Sequence, residues 1–569
     1  MNKVFNIFII LGVFFLHSCA PQSPTLIEKY EPPRIILHPK PLGNGGIITR
    51  DLFRSFWVLP ANDSESIRIG IIPSATKIKL RAPHHFTIRV YGEQESYDIA
   101  SPGGVTWEFE FLSIVRPPVL RYLVTVEETS VLNPKDLSQE LIQKWIRLGF
   151  PKAQWIGPPK MDSWNDDDKL KRYFVTLGIE QDRTKAESIC KQQISKKLFK
   201  SCKVITRMDL PHLAKGKFRA LASNFEKEFE GVVEIIPFKK DAVEIFDVKT
   251  SLLSQNRETL QFKANLFVVP NLENELSLVQ STSLEEYLKS VVPSEIFPES
   301  PLEALKAQTV IARTYAFQSK DHFSDKPFLT CASTECQVYL GEKTKNIGRF
   351  VSKAVEQTRN MVLKESSGSF FAETFYHGSS GGKTDVKQWI LGGAPKSYLV
   401  GTNDLMNHQN IDLKKNDVVS QYLHSNVPTY CGNSRFAKNN WSYNFDKNEI
   451  DTMLNKLKLH PPLRSIEVIQ RGISGRAIAL RLKTATEQKS VQGELQIRSL
   501  FGGLPSSFAI FEPQMGINGI KSLTILGKGS GHGVGLSQMG AIGRAIDGQN
   551  YQEILQAYYP GTILTSIDR

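Results

Sequence analysis

The sequence predicts an α+β chain of several domains, and three observations carry the prediction. Two stretches of alternating polar and apolar residues flank a duplicated β-α-β pattern. Two well-signalled helices follow. The C-terminal half then mixes strand-like runs, glycine-rich turns and further helical segments. At 569 residues, the chain is long enough for more than one core.

The elements divide the chain at 1–18, 19–45, 46–120, 121–207, 208–280 and 281–569. The first division, "MNKVFNIFIILGVFFLHS", places one lysine before an apolar run that is too short to span a bilayer but suits a signal peptide. Leu16-His17-Ser18-Cys19 resembles a lipobox, which implies lipidation at Cys19 and attachment to a membrane without spanning it. Ala20 after the lipidated cysteine suits the periplasmic side of the outer membrane in a two-membrane cell. The proline-rich "PQSPTLIEKYEPPR" reads as a tether within 19–45. A formal charge of +12, spread along an exported chain, favours an anionic envelope polymer or membrane surface. No nucleic-acid motif occurs, so nucleic acid is not an expected partner.

Region 46–120 is β-rich: "SIRIGIIPSATKIKLRAPHHFTIRVYG" alternates in short runs between turn signals. In 121–207, "RYLVTVEE" and "RYFVTLGIE" each precede a helical segment and then a short apolar run. Two β-α-β units in series are the order of a ferredoxin-like βαββαβ module. The pattern Tyr-apolar-Val-Thr-Leu-Gly is similar to the sporulation-related (SPOR) repeat, which implies binding to peptide-stripped peptidoglycan glycan. Region 208–280 is a β-rich lead-in.

The helices at the start of 281–569 frame a carboxylate. Ser283 and Glu286 read as a capping box, and Pro293 is expected to end that helix. Ser300, Pro301 and Glu303 signal the next start, and Lys306 and Arg313, seven residues apart, fall near one face of it. Glu295 lies in the connection "VVPSEIFPES", beside Ile296 and Phe297. From local chemistry alone it is either a solvated turn residue or an acid held protonated by apolar neighbours.

Several blocks resolve that choice by resemblance. "SLEEYLKSVVPSEIFPESPLEALKAQTVIARTYAF", "CQVYLG", "FYHGSSGGKT", "GISGRAIALRL", "GHGVGLSQMGA" and "YYPGTIL" occur in the order found in the stage II sporulation protein D family. The resemblance implies a strand-rich catalytic domain with packed helices. It also implies a peptidoglycan lytic transglycosylase, or else a non-catalytic enhancer of a cell-wall amidase. It assigns Glu295 as the catalytic acid and Arg313 as a second catalytic residue on the substrate side. Ser379, Ser380, Gly381, Gly382, Tyr398, Asp404, His532 and Gln538 become candidates to line the glycan groove. Glycosidic cleavage through a 1,6-anhydro product needs an acid but no second carboxylate and no cofactor.

Five cysteines lie beyond Cys19, so they cannot all pair. Cys331 and Cys336, with His322 nearby, admit a disulfide or a structural zinc site of the kind the resemblance implies. Cys190 and Cys202 are a second candidate pair, which leaves Cys431 over.

Overall fold

The computed structural model describes residues 34–37, 66–91, 96–116, 120–131, 139–156, 171–180, 182–195, 202–208, 215–250, 257–271, 273–318, 328–341, 348–366, 371–406, 411–434, 436 and 439–567. Cys19, of the lipidation reading, and His322, of the metal reading, lie outside the described residues.

The first strands are β1 (Arg34–Leu37), β2 (Ser66–Ala75), β3 (Lys77–Arg81), β4 (Phe86–Tyr91), β5 (Ser96–Ser101) and β6 (Thr106–Arg116). The β-branched run at β1 falls inside the expected tether yet pairs antiparallel with β5 as an edge strand. Next come β7 (Leu120–Val131), helix α1 (Gln139–Arg147), β8 (Gln154–Ile156), β9 (Lys171–Glu180), helix α2 (Arg183–Ser195) and β10 (Lys203–Met208). These four strands form their own antiparallel sheet in the order β10-β7-β9-β8. Trp145 of α1 packs with Val175 and Leu177, and Ala186 of α2 packs with Val124. A disulfide joins Cys190 on α2 to Cys202 just before β10.

The chain then returns with β11 (Lys215–Ala222), β12 (Phe225–Glu230), β13 (Val232–Pro237), β14 (Val243–Lys249), β15 (Arg257–Phe262), β16 (Leu266–Pro270) and β17 (Leu276–Ser283). The two β-rich stretches, expected as separate regions, interleave. One sheet runs β1-β5-β4-β13-β16-β17-β2 and ends on β18 (Thr330–Cys331); the other runs β12-β11-β6-β3-β14-β15. Strands from both stretches share one core that includes Ile69, Trp107, Phe109, Phe218 and Val233. The duplicated module is thus an insertion in the chain between β6 and β11.

Helices α3 (Leu284–Glu295) and α4 (Leu302–Gln318) sit at the seam with the C-terminal region. Tyr287, Leu288 and Val291 of α3 enter the β core, whereas Val292 and Ile296 enter a second core. There, Ala304, Ala307 and Ile311 of α4 meet Ala541 and Ile542 of the helix Gln538–Ile546 and Ile554 of the helix Tyr551–Tyr558. The small residues of α4 allow this close approach. A third core joins the strands Ser465–Arg471, Ala477–Lys483 and Gly519–Lys528 to the helix Lys447–Lys456. Among the described residues, no helix is long and apolar enough to cross a membrane.

Candidate active site

Ser283 ends β17 and also caps α3, its side chain accepting from the Glu286 N–H at 3.2 Å. Pro293 does not end this helix, which runs on to Glu295. Proline removes one helical donor, that to the Lys289 carbonyl, and the remaining bonds carry the helix on. The Ser294 hydroxyl supports the last turn by donating to the Ser290 carbonyl at 2.7 Å. Glu295 is thus the final residue of a helix, not a residue of a loose connection. The negative end of the helix dipole disfavours its ionised form.

The start of α4 also differs from expectation. The Ser300 hydroxyl makes no hydrogen bond, and the first helical bond runs from the Leu305 N–H to the Pro301 carbonyl. Glu303 accepts from Lys306 at 2.7 Å and from the Tyr551 N–H at 2.8 Å, so it ties α4 to the helix Tyr551–Tyr558.

Glu295 is partly accessible. Its Oε1 accepts from the Val338 N–H at 2.7 Å. Burial pushes the carboxyl up to about 7, while the Val338 N–H and the Tyr376 hydroxyl pull the other way. A directed chain of hydrogen bonds stands behind Tyr376. The Tyr287 hydroxyl donates to Gln337 Oε1 at 3.1 Å, and Gln337 Nε2 donates to the Tyr376 oxygen at 3.3 Å. This leaves the Tyr376 proton free to point at Glu295. The apolar company comes from tyrosine rings and not from the residues next in sequence. Tyr315 is raised to about 12 by burial and then by the Glu295 charge; Tyr376 is raised by the same two causes, and Tyr287 by burial, then Tyr315 and Glu295. Ile296 points away into the second core. Phe297 is 44 % exposed and stacks on Phe436, with ring centroids 4.3 Å apart.

Tyr287, Gln337, Val338 and Tyr376 were missed in the sequence reading, although each stands in one of the quoted blocks. The signal was their presence in those blocks; what hid them was that each looks like an ordinary core or turn residue. The Cys331–Cys336 disulfide closes the loop just before Gln337 and Val338. The two sulfurs are bonded to each other and offer no thiolates, which removes them from the zinc reading. Among the described residues, no group of three or more His, Cys, Asp and Glu side chains is placed to hold a metal ion.

Arg313 is not on the substrate side. It is fully buried, with Nε and Nη2 donating to the Glu285 carboxylate at 2.9 and 2.8 Å and Nη1 donating to the Met361 carbonyl at 3.1 Å. It therefore bolts α4 to the first turn of α3 by a bidentate pair. Lys306 points elsewhere, toward Glu303 and the Tyr551 ring.

The loop Tyr376–Gly382 leads away from Glu295. The Ser379 hydroxyl donates to Asn439 Oδ1 at 2.6 Å, and the buried Ser380 hydroxyl donates to Asp404 at 2.8 Å. Gly381 and Gly382 have φ of 75° and 127°, and only glycine adopts these without strain. Asp404 is fully buried and saturated: it also accepts from the Tyr558 hydroxyl at 2.8 Å and from Arg544 Nη2 at 2.9 Å. Tyr398 is buried as well, with its hydroxyl donating to Glu365 at 3.0 Å. Gln538 reaches Gln308 of α4 at 3.4 Å inside the second core region. Apart from Gly381, which borders a cavity, these residues shape the loop from behind instead of lining a groove.

His532 holds a position between these roles. Its Nδ1 accepts from the Val534 N–H at 3.0 Å, and its ring also bonds the Tyr376 backbone. Burial and the Arg476 charge depress it to about 4, so at neutral pH it is an uncharged brace for Tyr376 and not an acid. Arg476, fully buried, donates to the Ser379 and Ser380 carbonyls at 3.3 and 3.2 Å and to the Gly531 carbonyl at 3.4 Å. One guanidinium thus clamps both glycine-rich loops. We expect Arg476→Met to lower stability by about 3 kcal/mol in urea unfolding, because several buried carbonyls lose their donors together.

The chain spans two recognisable regions. Residues 272–364 match the family described as stage II sporulation protein, and residues 387–535 match a domain of unknown function (DUF8618). An uncharacterized protein of Brachyspira hyodysenteriae is 28% identical over 316 residues, covering 54% of this chain and 74% of that protein. A Bacillus subtilis protein named amidase enhancer is 32% identical over 300 residues, which is 49% of this chain but 40% of the relative. The stage II sporulation protein D of the same organism is 26% identical over 335 residues, covering 56% of this chain and 85% of the relative. Glu295, Tyr287, Gln337 and Val338 all fall within residues 272–364, the region that is similar to the stage II sporulation protein family.

Proposed function

We propose that the protein is a peptidoglycan lytic transglycosylase that cleaves the bond between N-acetylmuramic acid and N-acetylglucosamine. The supporting observation is Glu295: a partly accessible carboxyl, raised to about 7, held by one backbone donor and facing an oriented tyrosine. Such a group is protonated often enough at neutral pH to act as an acid and basic enough afterwards to take the proton back. In the reaction, the Glu295 proton passes to the glycosidic oxygen as the C1–O bond breaks. The muramyl 6-hydroxyl then bonds to C1, and its proton returns to the Glu295 carboxylate. No second carboxylate, water or cofactor enters.

The upstream β-α-β-β-α-β sheet supports a ferredoxin-like, SPOR-like module that holds peptide-stripped glycan, and lipidation at Cys19 would keep the chain at the envelope. The resemblance to a relative named amidase enhancer favours a second reading, in which the protein binds the wall and stimulates an amidase without cleaving glycan. Digestion of intact and peptide-free glycan, followed by mass spectrometry, separates the two. Release of 1,6-anhydromuramyl ends is expected; their absence on both substrates selects the enhancer.

A further inference from the structure

The glycan proposed above carries a lactyl carboxylate, and Arg313, buried against Glu285, offers it no cation. Another cation meets the requirement. Lys528, the last residue of the strand Gly519–Lys528, is 7 % exposed. Its Nζ donates to the Tyr422 and Ser425 carbonyls at 3.1 and 2.8 Å, at the C-terminal end of the helix Asn416–His424, and sits 4.7 Å from the Tyr422 ring centroid. Among the described residues, no carboxylate lies within ion-pair distance of it. An ammonium has three donors, and these two carbonyls use two. They carry only the partial charge of a helix terminus, so a full charge stays buried without a counter-charge.

Lys528 lines a cavity of about 630 Å³ together with Asn426, Asn433, Asn439, Asn440, Thr429 and Gly381. Four amides offer donors and acceptors suited to hydroxyl and acetamido groups, while the ammonium offers the one full charge. Gly381 belongs to the loop that starts at Tyr376, the partner of Glu295. The two are five positions apart, so their Cα atoms are at most ~18 Å apart. The Ser379 hydroxyl also fixes Asn439 on the cavity wall.

We propose that this cavity binds a carboxylate-bearing amino sugar, with the carboxylate on Lys528 and the acetamido and hydroxyl groups on the asparagines. The proposal rests on the glycan reading above for the identity of the sugar but not on cleavage.

The test is calorimetric titration of the full chain with N-acetylmuramic acid, N-acetylglucosamine and inorganic phosphate. N-acetylmuramic acid should bind at least tenfold more tightly than N-acetylglucosamine, which lacks the carboxylate. Glu295→Gln should bind it as the wild type does, so loss of cleavage and loss of this site are read separately. Lys528→Met should weaken binding at least tenfold. Asn433→Trp, at an exposed position on the rim, should block the cavity without disturbing the core, and it decides the matter if Lys528→Met fails to fold. Equal affinity for the two sugars, wild-type affinity in Asn433→Trp, or displacement by phosphate at equal concentration would each overturn the assignment; the last would leave a site for small anions only.

Discussion

Glu295→Gln removes formation of 1,6-anhydromuramyl ends, with a loss of at least ~10²–10⁴-fold, the range for a positioned acid–base group. The same variant changes stability in a way that does not depend on activity. Burial raises the folded-state carboxyl to about 7, above the ordinary value of 4.5. Folding therefore favours the protonated form: the stability it brings is full below pH 4.5 and is lost as pH rises through about 7. The shift corresponds to on the order of 2–3 kcal/mol, reduced by the partial accessibility of the residue. Thermal unfolding at pH 5 and pH 8 measures it. The wild type should lose more stability over that interval than Glu295→Gln, which cannot ionise there. Parallel slopes in the two proteins would mean that the carboxyl is not held proton-ready, whatever the activity assay shows.

Arg313→Ala destabilises the fold by about 3–5 kcal/mol, because it leaves the Glu285 carboxylate in a largely buried site without its partner. The Glu285 side chain is only 12% exposed, so water cannot replace the guanidinium. Replacing both residues, as in Arg313→Met with Glu285→Leu, should recover much of the loss. Denaturant unfolding of the two single variants and the double variant reads this coupling directly. Protein that remains folded should keep its turnover on glycan. A large fall in turnover with unchanged stability would instead return Arg313 to the substrate side, where the family resemblance had put it.

The contrast between these two residues shows where sequence reading reached its limit. Local chemistry left Glu295 open, and the ordered blocks of the family resemblance singled it out. Arg313 stood in an equally specific block but was given the wrong surroundings. Its partner lies 28 residues away on another helix, and nothing in the helical spacing of α4 reveals which neighbour covers that face. Asp404 and Tyr398 failed for the same reason. Each is a polar side chain that folding buries and saturates with partners from distant segments. His532 was located but not its role, since a histidine's charge state depends on burial and on Arg476, which is remote in sequence. The two β-rich regions were legible as strands, yet alternation says which residues face inward and not which strands share a sheet.

By itself, the sequence determined the α+β class, the strands and helices with their approximate limits, the order of the motif blocks and the carboxylate at their centre. The class and the elements follow from residue spacing, caps and turn residues, which act over a few positions, whereas the carboxylate was singled out by the resemblance those blocks carry. The tertiary structure alone decided that Glu295 ends a helix under a cage of tyrosines and that the Val338 N–H, 43 residues on, holds its carboxylate. It also decided that Arg313 is a bolt and Lys528 an uncompensated cation. Proton affinity and ion pairing depend on desolvation and on distances of a few ångströms, and both are set only when remote segments meet.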